Sequence, residues 1–342
     1  MTRHRTFIVV AALLALALIS ACSSAREREP VPAAAVGDQG ATTTTVLGAT
    51  PSTSAPSVTT TTAAPAPDGR RAPRAAADPV ALAQQIVSTE RALRDPATPA
   101  SARPDLGHLN QVAYRRLSYE PALDAAVLAA VPADLQAVVR AQVAARREFL
   151  AMRTTIPVTV PAWEVARPEP AEQLLAYYRE AERATGIRWQ YLAAINLVET
   201  GLGRVHGLSV SGARGPMQFL PTTWAEKGIG QGDIDDPHDA IQAAARYLVR
   251  RGGPSDMAKA LRGYNNHANY VRAVTLYADL LMQDEQAFQV FYNWEIYYLS
   301  AAGDLWLATG YRETAPLDVS VYLAKSPWSA PPPGVPIPPL SN

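Results

Sequence analysis

The segment Trp189–Val198 carries no charge, and Glu199 closes it. Glu199 follows Leu192 by seven positions and Ile195 by four, so helical spacing sets its carboxyl on their apolar face. It also stands at the C-terminal end of that helix, where the macrodipole disfavours an anion. Burial and the dipole act in one direction, and both raise the pKa. A carboxylic acid that keeps its proton near neutral pH can protonate a leaving-group oxygen, a step worth about a hundred- to ten-thousandfold in rate. Periodicity alone leaves a second reading open, in which Glu199 ends the helix and turns out to solvent. The chain then leaves through Thr200-Gly201-Leu202-Gly203-Arg204, whose glycines free the backbone to open a cleft beside the acid.

Several helices must position this residue. Periodicity predicts helices over Glu172–Ala184, with Leu174, Leu175 and Tyr178 inward, and over Trp189–Glu199. A Gly-rich stretch to Gly215 separates these from helices over Pro221–Glu226, Pro237–Arg251, Ser255–Tyr264 and Ala268–Met282. Asp236-Pro237-His238-Asp239 is a helix start: Asp236 caps, Pro237 suits the first position and Asp239 favours the positive end. Gly252-Gly253-Pro254 is the matching stop. Pro157, Pro161, Pro168 and Pro170 mark a boundary before this catalytic region, placed at 160–285. An accessory helical region at 78–156 precedes it. Val80, Leu82 and Ile86 start its first helix, and Ala122–Met152 holds another stretch interrupted at Pro132.

The 342 residues are 48% hydrophobic and 18% charged, enough for one sizeable core with accessory segments. Arg3, His4 and Arg5, followed by the apolar run Phe7–Ile19, read as a signal peptide over 1–21. Residues 22–77 are dominated by Ala, Thr, Pro and Ser and bury too little apolar area to offset their ordering entropy, so they read as a disordered tether. A flexible chain of about fifty residues spans roughly 40 Å. Phe288, Phe291, Tyr292, Trp294, Tyr297 and Tyr298 give an aromatic-rich C-terminal extension over 286–324, expected to serve helix packing. The Pro-rich tail, 325–342, is expected to be extended and loosely held.

Cys22 is the one cysteine, so an internal disulfide is excluded. Loss of the signal would leave 29 basic against 31 acidic residues, a formal charge of −2, because Arg3 and Arg5 leave with it. No basic field exists to hold nucleic acid. The five histidines, His4, His108, His206, His238 and His267, show no close helical ligand spacing, and Asp233-Ile234-Asp235-Asp236 does not fit a calcium loop. No metal and no cofactor is expected.

Ile19-Ser20-Ala21-Cys22 resembles a bacterial lipobox. The resemblance implies that Cys22 becomes the lipidated first residue, which would hold the chain on the outer face of the cell membrane, facing the cell wall. Ala193-Ala194-Ile195-Asn196-Leu197-Val198-Glu199-Thr200-Gly201 resembles the catalytic motif of the soluble lytic transglycosylases, relatives of goose-type lysozyme. Gly215-Pro216-Met217-Gln218-Phe219 resembles that family's Gly-x-Met-Gln segment, and Tyr264-Asn265, continuing to Tyr270-Val271, its Tyr-Asn motif. The three occur in family order over about eighty residues, and the whole resembles an exported actinobacterial lipoprotein version.

The resemblance implies a mostly α, lysozyme-like domain crossed by a glycan groove, with peptidoglycan glycan strands as partner. Glu199 would be the acid and then the base. Met217 and Gln218 would line the groove, Gln218 bonding sugar, and Tyr264 and Asn265 would hold the region of the scissile bond. Thr200, where the family usually has Ser, and Tyr270 complete the implied substrate-binding set. Asn266-His267-Ala268-Asn269 departs from the small residues of many members, so His267 would narrow or polarise the groove. Most glycosidases use two carboxylates, whereas these motifs offer one. Asp233, Asp235, Asp236 and Asp239 read as turn and cap residues. The implied reaction cuts the bond between N-acetylmuramic acid and N-acetylglucosamine and closes a 1,6-anhydro ring. A lysozyme-type muramidase and a catalytically inactive wall-binding module on the same fold remain alternatives, and the helices over 78–156 leave room for an added scaffold role.

Overall fold

The computed structural model describes residues 64–331 and 337. The signal peptide, Cys22, the tether up to residue 63 and most of the tail lie outside the described residues.

The fold is mostly α. Its first helices are α1 (Pro79–Arg94), α2 (Arg103–Tyr119), α3 (Asp124–Ala130) and α4 (Ala133–Leu150). Asp78 caps α1 by accepting from the amides of Val80 and Ala81 at 3.0 and 2.9 Å. Pro132 enters α4 from outside, so the expected interruption separates α3 from α4. A buried polar knot ties three of these helices together. Glu90 of α1 is fully buried, ion-paired with Arg94, and accepts from Asn110 Nδ2 at 3.2 Å and Gln142 Nε2 at 2.7 Å. Those donors make burial of the carboxylate tolerable.

Two short strands follow, β1 (Thr159–Val160) and β2 (Glu164–Val165). Next come α5 (Ala171–Thr185), α6 (Trp189–Thr200), β3 (Val205–His206), α7 (Pro221–Trp224), α8 (Pro237–Arg250), α9 (Met257–Tyr264) and α10 (Ala268–Gln283). The helices among these begin and end within two residues of the predicted positions. α7 stops early because residues 225–232 turn back, the Gly230 amide bonding to the Trp224 carbonyl at 3.0 Å. One apolar core runs from Leu82 of α1 to Trp294, so the accessory helices and the later ones bury their faces together. Glu148, near the end of α4, accepts from Asn269 Nδ2 and from Arg272 of α10, each at 2.8 Å, which pins α4 across the start of α10.

The aromatic-rich stretch begins as a helix, α11 (Ala287–Tyr292), and then becomes a hairpin of β4 (Ile296–Ser300) and β5 (Gly303–Leu307). The register runs from Ile296↔Leu307 to Ser300↔Gly303. The aromatic residues beyond α11 still pack on helices as expected: Trp294 lies edge-on to Tyr277 of α10, and Tyr297 Oη bonds His108 of α2 at 2.7 Å. β6 (Leu317–Asp318) pairs with β1, and α12 (Val319–Lys325) follows. A second apolar cluster of Val160, Val165, Val205, Leu305, Leu307 and Tyr311 sits beneath these strands.

Two expectations need correction. Residues 64–77, read as the end of a disordered tether, are packed: Ala66 is buried with Trp306 and Ala308, and Arg70 bonds to Glu295 at 2.6 Å. Composition averages over a segment and misses one well-placed cation. The start of the tail, read as loosely held, forms a 3₁₀ turn at Pro327–Ser329, and Ser329 Oγ donates to the Trp306 carbonyl at 2.7 Å.

Candidate active site

α6 carries the candidate acid. Gly201 ends the helix with φ +61°, and its amide and that of Leu202 bond back to the Leu197 and Asn196 carbonyls, both at 3.0 Å. Glu199 is 0% exposed, so the reading in which it turns to solvent is overturned. Its Oε1 accepts from Tyr270 Oη at 2.7 Å, while Oε2 is buried with no partner. Burial pushes its pKa up to about 8, against the smaller downward pull of the Tyr270 bond. Among the described residues, no guanidinium or second carboxylate bonds to it. Burial also holds the Tyr270 and Tyr264 phenols far above their ordinary range, with Glu199 adding to the effect, so Tyr270 keeps the proton that it donates.

The Gly-Pro-Met-Gln loop is fastened to α6 by side chains. Asn196 Nδ2 donates to the Pro216 carbonyl at 2.8 Å, and Thr200 Oγ1 donates to the same oxygen at 2.6 Å. Thr200 Oγ1 also accepts from the Gly203 amide at 3.0 Å and Asn196 Nδ2 at 3.1 Å. Tyr178 of α5 donates to Asn196 Oδ1 at 2.6 Å, which sets the amide's orientation. Gly215 has φ +75°, and a Cβ there would run into the Ile234 carbonyl, so only glycine allows this close approach. Gln218 holds φ +49°, an uncommon conformation for a side chain with a Cβ.

These contacts change several implied roles. Thr200 is fully buried and bonds backbone, so in this structure it positions the loop. Met217 is also 0% exposed; what it offers is its carbonyl, which accepts from Tyr264 Oη at 2.7 Å. Tyr264 packs edge-on against Phe219 and Tyr247, which closes that side of the site. Gln218 is nearly buried, and its Nε2 bonds the Gly215 carbonyl at 3.1 Å, where the resemblance implied a sugar. Asn265 is buried just past α9, its carbonyl accepting from the His267 amide at 2.8 Å. His267 caps α10 by accepting from the Asn269 amide at 3.2 Å. Tyr270 is brought directly onto the acid. The expected open groove is absent at Glu199 itself, whose carboxyl is enclosed.

Asn196 was given no role of its own from sequence, and Tyr178 only an inward-facing one. The signal for Asn196 was present: it is the one short amide in an otherwise apolar helix, three residues before the acid. Asp233, Asp235, Asp236 and Asp239 hold their turn. Asp236 Oδ1 accepts from the Asp239 amide and Asp239 Oδ2 from the Asp233 amide, both at 2.9 Å. Asp235 pairs with Arg214. Asp236, His238 and Asp239 bring ligand atoms within 4.8 Å of one another, but those oxygens already serve the turn.

Residues 176–281 match the family model of the Transglycosylase SLT domain. The match contains Glu199, the Gly-Pro-Met-Gln loop and both tyrosines, and it supports an activity of the lytic transglycosylase type on peptidoglycan. No curated protein and no solved structure matches the chain.

Proposed function

We propose that this protein is a peptidoglycan lytic transglycosylase in which Glu199 acts first as acid and then as base. The observation that carries this reading is a carboxyl that is fully buried and free at Oε2, with burial pushing its pKa up to about 8. Glu199 gives its proton to the glycosidic oxygen as the bond from C1 of N-acetylmuramic acid breaks. The N-acetyl group of that sugar stabilises the cationic C1, which supplies what a second carboxylate would otherwise provide. Glu199 then takes the proton of the C6 hydroxyl, and the C6 oxygen bonds to C1. The 1,6-anhydro ring closes, the acid is restored, and no water is consumed. Tyr264 and Asn265 hold the wall of the site, and Tyr270 aims the acid.

Glycan must come within hydrogen-bond reach of Oε2. With Glu199 fully enclosed, this reading requires the side chains around it to part when a strand binds. Cys22 would carry the lipid that holds the enzyme at the outer membrane face. Mass analysis of soluble products from intact sacculi tests the reaction: products one water lighter than hydrolytic ones support it. Hydrated reducing ends alone would replace it with a muramidase. The enclosure of Glu199 favours one second reading, a wall-binding module without turnover. A clearing band on wall-loaded gels that vanishes in Glu199→Gln rejects that reading.

A further inference from the structure

A cavity of about 140 Å³ lies where the accessory helices meet α6 and the β4–β5 hairpin. Three arginines line it: Arg115 of α2, Arg146 of α4, and Arg153 just beyond α4. Arg115 is matched by Asp304, which also accepts from Tyr119 Oη at 2.9 Å. Glu295, the acid in the wall, is engaged by Arg70 at 2.6 Å. Among the described residues neither Arg146 nor Arg153 forms an ion pair, although Asp304 acts on both from beyond contact distance. Arg146 makes one bond, from Nε to Ser118 Oγ at 3.3 Å, and lies over the Tyr119 ring. Arg153 is 4% exposed; one Nη donates to the Leu299 carbonyl at 3.2 Å, and its Nε is buried with no partner.

Buried Arg153 and half-buried Arg146 face one half-open pocket, and an anion bound there would offset the cost of their desolvation. Burial is the largest influence on both guanidinium groups, and in each it weakens the hold on the proton. Much of the remaining wall is apolar, with Phe149, Leu150, Leu197, Phe291 and Ile296. The ligand that fits has one small anionic head and a short apolar body. A planar guanidinium takes a carboxylate through two parallel N–H bonds. We propose that this cavity binds the carboxylate end of a short peptide with small apolar side chains.

Its source rests on the reading above: peptidoglycan strands carry peptide stems that end in free carboxylates. The cavity also touches the helix that holds the acid. Leu197, Val198 and Gly201 line it, flanking Glu199 and Thr200 on α6. The accessory helices thus supply two cations with which the enzyme reads whether a strand bears its peptides.

Calorimetry on the full chain in detergent tests this with N-acetyl-D-alanyl-D-alanine, its C-terminal amide and inorganic phosphate. The acid should bind at least tenfold more tightly than the amide and than phosphate. Arg146→Gln and Arg153→Gln should each weaken the acid at least tenfold and leave the amide unchanged. The comparison of acid with amide uses the wild-type chain, so it stands even where Arg153→Gln fails to fold. Glu199→Gln should bind the acid like the wild type, which separates this proposal from the catalytic one. Equal binding of acid and amide, or no binding of either at millimolar concentration, overturns it. Phosphate binding as tight as the acid also overturns it, by reducing the site to a general anion site.

Discussion

The hydroxyl of Tyr270 holds one oxygen of Glu199 at 2.7 Å and leaves the other without a partner. α10 thus aims a proton donor that α6 buries. Glu199→Gln keeps an oxygen for Tyr270 and removes the transferable proton. Release of soluble fragments from purified sacculi should fall by about a hundred- to ten-thousandfold. Undiminished release would remove Glu199 from the chemistry.

Activity should depend on pH through the same group. With its pKa at about 8, Glu199 is protonated below that pH and ionised above it, so the rate should hold at neutral pH and decline as pH rises through about 8. Stability moves with it. The folded pKa lies above the unfolded value of 4.5, so the folded chain binds this proton more tightly. The contribution is full below about 4.5 and is lost as pH rises through about 8. Thermal unfolding at pH 6 and pH 9 should show a drop in wild type that is smaller in Glu199→Gln.

Tyr270→Phe removes the one bond that steadies the ionised acid. Because that bond lowers the Glu199 pKa, the alkaline limb of the rate profile should move to higher pH. The maximal rate should fall through lost aim. An unmoved limb would show that the hydroxyl does not act on the acid.

Thr200→Val takes away the hydroxyl shared by the Pro216 carbonyl and the Gly203 amide. Urea unfolding should report a loss of about 1–3 kcal/mol, and Thr200→Ser should restore most of it. A substrate-binding role would instead raise KM at unchanged stability.

Gly215→Ala places a methyl against the Ile234 carbonyl at a positive φ. The loop bearing Met217 and Gln218 must shift. Activity should fall by more than tenfold even where circular dichroism shows the helices retained.

Much of this was legible in the residues. Uncharged Trp189–Val198 dictated the helix and put Glu199 on the Leu192 and Ile195 face, but whether its carboxyl turned inward or out to solvent was decided only by the packing of the other helices. Asp236-Pro237 and Gly252-Gly253 marked the ends of α8. What periodicity could not reach were contacts between distant segments. The Thr200 bond to Pro216 and the Tyr264 bond to Met217 depend on how the loop folds back on α6. Motif resemblance named those residues but not these contacts, because a motif fixes identity and not orientation. The 64–77 segment escaped for a related reason: its docking depends on Glu295, more than two hundred residues away.

Trp306 has neighbours from both extremities of the described chain. Ala66 shares a buried cluster with it, Ala72 and Trp328 pack against that cluster, and Ser329 Oγ donates to its carbonyl. Segments from near both ends of the described residues therefore meet at one indole. A permuted molecule that joins residue 331 to residue 64 through a brief linker, with new ends cut elsewhere, should keep this architecture.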